Sequence, residues 1–215
     1  MKKKLTWSAM TLLFSLYTTQ FLGLGFFMEA FIGILRQDGV PLKNLGFIYM
    51  LGLFWVFRFL WAPFIDRIYF GKMGHYRAWI IIFQSLMVIT IFAISILHIN
   101  EHLNIIIFLA IFFAFFAASQ NIALDAFAFK ITFKKERSII NAIKTSGGLI
   151  GMALGGGVGL ILYSKIGWHF TMFIMTIVTA ISLLQIIFFS EPTMKHDYFI
   201  EKIDYKQFFT FWKTK

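Results

Sequence analysis

Apolar and polar positions in this chain alternate on the scale of a bilayer rather than of a helix turn. Long apolar runs begin near Leu5, Leu45, Ala78, Ile105, Ile139 and just after Trp168, and short polar segments separate them. A hydrocarbon core about 30 Å thick needs about 20 apolar residues of helix. The pattern therefore predicts six spans, at about 5–35, 45–65, 78–97, 105–129, 139–162 and from 169 to near Phe189. Between them lie Arg36 to Asn44, with Asp38, Gly39 and Pro41; a basic hinge ending at Arg77; His98 to Asn104; Lys130 to Arg137; and a turn from Ser164 to Trp168. Glu191 and Pro192 stop the last span, so residues 1–190 read as one bundle and 191–215 as a separate tail.

Lys2, Lys3 and Lys4 ahead of an apolar run resemble a signal peptide, but the run is far longer than the roughly 7–15 residues of such a segment. It also shows no small-residue cleavage site, so it is expected to be an uncleaved first span. The tail alternates charges with aromatics (Tyr198, Phe199, Tyr205, Phe208, Phe209, Phe211, Trp212) and suits an amphipathic segment on the membrane surface.

Composition leaves one class. The chain is 59% hydrophobic, 20% aromatic and only 14% charged, with a mean hydropathy of +0.77, which excludes a soluble domain and predicts an all-α, multi-pass membrane protein. Cysteine is absent, which removes disulfides, thiol nucleophiles and thiolate metal sites. The net charge of +10 would suggest nucleic acid in a soluble protein, but its placement gives a different reason. With both termini cytoplasmic, 15 of the 20 Lys and Arg fall on the inner side, and only Arg36, Lys43 and Lys165 on the outer. That is the bias that sets topology in multi-pass membrane proteins, so no nucleic acid is expected as a partner; membrane lipid is.

Polar groups inside spans are expensive, about 2.5–3.5 kcal/mol for a charge at helix centre, and each needs a reason. Gln20, Glu29, Arg58, Gln120, Asn121 and Asp125 are candidates for a substrate or proton pathway, and Lys144, early in the fifth span, is a further costly charge. Arg58 lies eight residues before Asp66, about 12 Å deeper, a depth compatible with Asp125 and hence with an ion pair. Asn121 and Asp125 share one face at i, i+4, while Gln120 turns about 100° away toward a neighbour. Gln20 and Glu29 sit on opposite faces of an intact helix, so they can line one route only if it breaks near Gly23 and Gly25. Gly147, Gly151, Gly155 and Gly159, four residues apart, make a face that lets another helix come close. The histidines lie mostly in loops and no metal site or other cofactor is expected of them. No phosphate loop, HExxH or GxSxG motif is present, so the chain does not read as an enzyme.

Asp66-Arg67 followed by Gly74-His75-Tyr76-Arg77 resembles the loop between the second and third helices of major facilitator transporters. Phe59-Leu60-Trp61-Ala62-Pro63 and Ser119-Gln120-Asn121-Ile122-Ala123-Leu124-Asp125-Ala126 resemble the muropeptide-permease (AmpG-like) branch, which usually has Asp where this chain has Asn121. Gln20 to Phe27, Ile34 to Gly39 and His75 to Trp79 look most like siderophore permeases of the RhtX/FptX type. The resemblance implies the N-terminal half of a secondary-active transporter, built as a 3+3 inverted repeat. It implies inner-membrane uptake of a small molecule, a ferric siderophore in the first reading. A muropeptide or other small-molecule permease is the alternative, as is a truncated membrane protein without function. It also implies a conformational-switch loop at Asp66, Arg67, Gly74 and Arg77, and a partner six-helix half. The face meeting that half is expected to carry Asn121 or Asp125 and part of the glycine ladder.

Overall fold

A computed structural model describes residues 6–37, 39, 42–68, 70, 74–132 and 134–189; the tail from 191 and the N-terminal lysines lie outside the described residues. Every element among the described residues is helical. Four continuous helical stretches are long and apolar enough to cross a membrane: Trp7–Gln37 (α1), His75–Ser95 (α3), Leu103–Lys130 (α4) and Arg137–Phe188. The last runs for 52 residues, about 78 Å of helix and far more than a bilayer holds. Gly167 divides it, with φ 76° and ψ −179°, a backbone setting that only glycine adopts cheaply. Residues 137–166 (α5) run along α1, and residues 168–188 (α6) run along α3.

Residues 42–67 (α2) are helical but repeatedly interrupted, with 3-10 turns at Met50–Gly52 and Arg58–Leu60. The second interruption has a direct cause. Pro63 stands in the first turn of the segment Ala62–Arg67; it has no N–H to donate, and its ring collides with the carbonyl four residues back. The helix therefore tightens and restarts just where Arg58 must leave it.

α1 and α5 approach each other closely. A side chain at Gly155 would meet the α1 backbone, with Phe26 N only 2.7 Å from the position of its Cβ. At Gly151 the Phe21 Cβ would be 2.9 Å away, at Gly147 the Tyr17 Cβ 3.1 Å, and at Gly159 the Phe26 ring 2.9 Å. All four glycines thus face α1, and three of them touch it through backbone atoms. Contact at this range is what holds helices together in lipid, where no hydrophobic force acts between them. The ladder is consumed inside the bundle, so it does not lie on the face expected to meet a second half. Both helices also widen into a π-turn at the crossing, Phe26–Ala30 in α1 and Leu154–Val158 in α5. α1 stays helical from Trp7 to Gln37, through Gly23 and Gly25, where the glycines made a break possible.

Two apolar clusters fill the interior. One gathers Leu22 to Leu51 with Met87 to Ile94, Ile106 to Ala117 and Trp168 to Met175. The other gathers Ala9 to Tyr17 with Ile80, Phe83, Ala123 to Ile131 and Ile186. Between them, on α1, α3, α4 and α6 alike, the buried residues are polar: Thr19 and Gln20, Gln84, Ser119 to Asn121, and Thr179.

Candidate functional site

That polar layer is a single hydrogen-bonded string. At its open end, Asp125 accepts from Lys144 Nζ at 2.6 Å (Oδ2) and 2.8 Å (Oδ1) and from the Tyr17 hydroxyl at 2.8 Å. Arg58 Nη1 stands 3.8 Å from Asp125 Oδ2 and donates to Asn121 Oδ1. Asn121 Nδ2 donates to Gln20 Oε1 at 2.8 Å, and Gln20 Nε2 donates to the Ala117 carbonyl at 2.8 Å and toward Gln120 Oε1 at 3.4 Å. Gln120 Nε2 donates to Gln84 Oε1. Gln84 Nε2 ends the string on the Thr179 carbonyl at 3.0 Å, with Thr19 Oγ1 at 3.4 Å. Each amide uses both its donor and its acceptor side, which is the condition for burying such groups at low cost.

Burial changes along the string. Gln20, Gln84 and Gln120 are fully buried, whereas the side chains of Asp125, Arg58 and Lys144 are 22%, 33% and 34% exposed. The buried end therefore fixes the helices, and the charged end opens on a surface this bundle does not cover. Two cations share one carboxylate there, so the cluster carries a surplus positive charge. Lys144 Nζ also lies 5.9 Å from the centre of the Tyr17 ring, within range of the ring's negative face.

Of the residues singled out in the sequence, Gln20, Arg58, Gln120, Asn121 and Asp125 come together. Glu29 does not; it points at α5, close against Gly156. Three members of the string are additions. Lys144 stood out only as a costly charge, Gln84 was legible as one amide in the apolar α3, and nothing marked Tyr17 among so many aromatics. His98 and His102 are four residues apart on a turn closed by His102 N donating to the His98 carbonyl at 3.0 Å. Their ligand atoms and that of Glu101 lie within 4.8 Å of one another.

The hinge residues sit apart from the polar layer. Tyr76 donates to Asp66 Oδ1 at 3.3 Å, and Gly74 opens α3 with φ 83°. Arg67 closes α2. Arg77 reaches across to the end of α6, donating to the carbonyls of Ile186 (3.3 Å) and Ile187 (2.7 Å). These are the carbonyls a helix end leaves without intrahelical donors.

The polar layer is thus buried at mid-bundle and opens at one end to a charged cluster. The model of the Major Facilitator Superfamily matches residues 5–213. The chain belongs to that superfamily. As a major facilitator protein it is a multi-pass protein of the bacterial inner membrane, in a family whose members are generally transporters. It is 32% identical over 157 residues to the anhydromuropeptide permease of Escherichia coli (strain K12), covering 73% of this chain and 32% of that one. It is 26% identical over 165 residues to putative transporter AmpG 4 of Rickettsia felis, covering 74% and 40%. It is 31% identical over 145 residues to putative transporter AmpG 3 of Rickettsia prowazekii, covering 64% and 34%. The chain thus spans between 32% and 40% of the length of these curated relatives.

Proposed function

We propose that this chain supplies the N-terminal wall of a secondary-active permease for an anhydromuropeptide or a closely related peptide-bearing sugar. The observation that carries the reading is the charged cluster at the open end of the buried polar string. Arg58 and Lys144 outnumber Asp125, so the cluster suits an anionic group such as a peptide carboxylate, and the guanidinium can meet a carboxylate with two parallel hydrogen bonds. The similarity to an anhydromuropeptide permease favours this cargo over the ferric siderophore suggested by short sequence strings.

The bundle has six spans with both termini in the cytoplasm, and the opposite wall comes from a second six-helix half. Transporters of this kind bind near the bilayer midplane between two repeats and rock one against the other. The exposed apolar positions of α2, among them Leu53, Val56, Phe57 and Leu60, offer surface to lipid and to that half. Asp66 and Arg67 act in switching at the cytoplasmic boundary rather than in holding cargo. The test is uptake of labelled anhydromuropeptide and, separately, of labelled ferric siderophore into vesicles carrying the chain alone or with a second half. Saturable uptake of the muropeptide only when both halves are present supports the reading. Uptake of the siderophore instead, or concentrative uptake by the chain alone, defeats it.

A further inference from the structure

We propose that His98, Glu101 and His102, on the turn joining α3 and α4, form a Zn2+ site. The backbone sets it up. One helical turn closes between His98 and His102, which places residues three and four apart on the same side. The result is two imidazoles and one carboxylate whose ligand atoms lie within 4.8 Å of one another, so small side-chain rotations bring all three onto one ion.

The donor chemistry selects the ion. Two neutral imidazoles with one carboxylate are a zinc-type set, and too rich in nitrogen for calcium or magnesium, which take oxygen ligands. Three protein ligands leave a fourth tetrahedral position for water. A second observation points the same way. His102 Nδ1 is buried and has no hydrogen-bond partner, and coordination through it would supply one. His98 in turn rests edge-on against His169 of α6, ring centres 4.8 Å apart, and His169 Nδ1 is 2.6 Å from the Ser95 carbonyl. An ion on His98 therefore pins the ends of α3, α4 and α6 together on the side of the bundle away from the Asp66–Arg77 hinge.

The site is independent of the polar layer and of the cargo proposed for it. The experiment is isothermal titration of the purified full chain with Zn2+, on the unmodified protein and on His98→Ala with His102→Ala, Glu101→Gln and His169→Ala. Circular dichroism checks that each variant keeps its helix content. One zinc per chain is expected, lost in the double histidine variant, weakened about tenfold or more by Glu101→Gln, and kept in His169→Ala. Zinc X-ray absorption of the unmodified chain provides a reading that needs no variant, with two imidazoles expected in the first shell. No stoichiometric binding, binding unchanged in the double variant, or a first shell without imidazole would each overturn the proposal.

Discussion

Lys144 Nζ lies 2.6 Å from Asp125 Oδ2, while Arg58 Nη1 stands 3.8 Å from the same oxygen. Depth along the helices suggested Arg58 as the counter-charge of Asp125. The fold brings in Lys144 from α5 as the nearer cation and turns Arg58 toward Asn121. The carboxylate is therefore shared between α2 and α5, and its loss strands two cations rather than one.

Unequal costs for the three substitutions are the first expectation. Lys144→Met should remove charge-assisted hydrogen bonds worth about 1.5–3 kcal/mol. Asp125→Asn should cost more than Lys144→Met or Arg58→Gln, because it leaves Arg58 and Lys144 without compensation. Combining Asp125→Asn with Lys144→Met should cost less than the two changes summed. Unfolding of the purified protein in detergent measures all of these, and strict additivity would contradict the shared carboxylate.

The α1–α5 crossing makes a sharper demand. Gly155→Ala places a methyl group against the backbone of α1, and such overpacking costs about 1–3 kcal/mol. Gly157 lies two residues away in the same π-turn and has nothing within 4 Å of its Cβ position. Gly157→Ala should therefore be neutral or slightly stabilising. Thermal unfolding of the two variants side by side is the check; equal loss in both would mean that proximity to α1 is not the cause.

Gln84 and Gln120 form the buried end of the string. Leucine at either position alone orphans the other amide at a cost of about 1–3 kcal/mol, whereas leucine at both removes the pair and should be milder than the sum. A double-mutant cycle on unfolding free energy reads the coupling.

Arg77 should act as a helix cap on a different element. Arg77→Ala frees the carbonyls of Ile186 and Ile187 and should fray the last turn of α6, seen as faster amide exchange over residues 184–188 than in the unmodified chain. Unchanged exchange there would mean the contact contributes nothing to that end.

Much of this was legible because lipid punishes polarity so heavily. Apolar runs marked the spans, and Gln20, Gln120, Asn121 and Asp125 stood out as amides and a carboxylate inside them. Which of them meet was not legible, since that depends on helix rotation and on Pro63 tightening α2 at Arg58. Tyr17 carried no signal among 29 phenylalanines, 6 tryptophans and 7 tyrosines. Lys144 could have pointed either way, because a long stem near a span end can reach out to water as readily as inward. The paired π-turns depend on a register shift of backbone hydrogen bonds that no residue pattern here announced.

The measurement that bears most directly on the polar layer as a transport wall is uptake by a chimera. This chain replaces the matching part of the Escherichia coli anhydromuropeptide permease in cells lacking that permease, with and without Asp125→Asn. Labelled anhydromuropeptide should accumulate in cells carrying the chimera and fall to background with Asp125→Asn at equal amounts in the membrane. Undiminished uptake by the Asp125→Asn chimera, or none by a fully inserted unmodified one, would contradict the account.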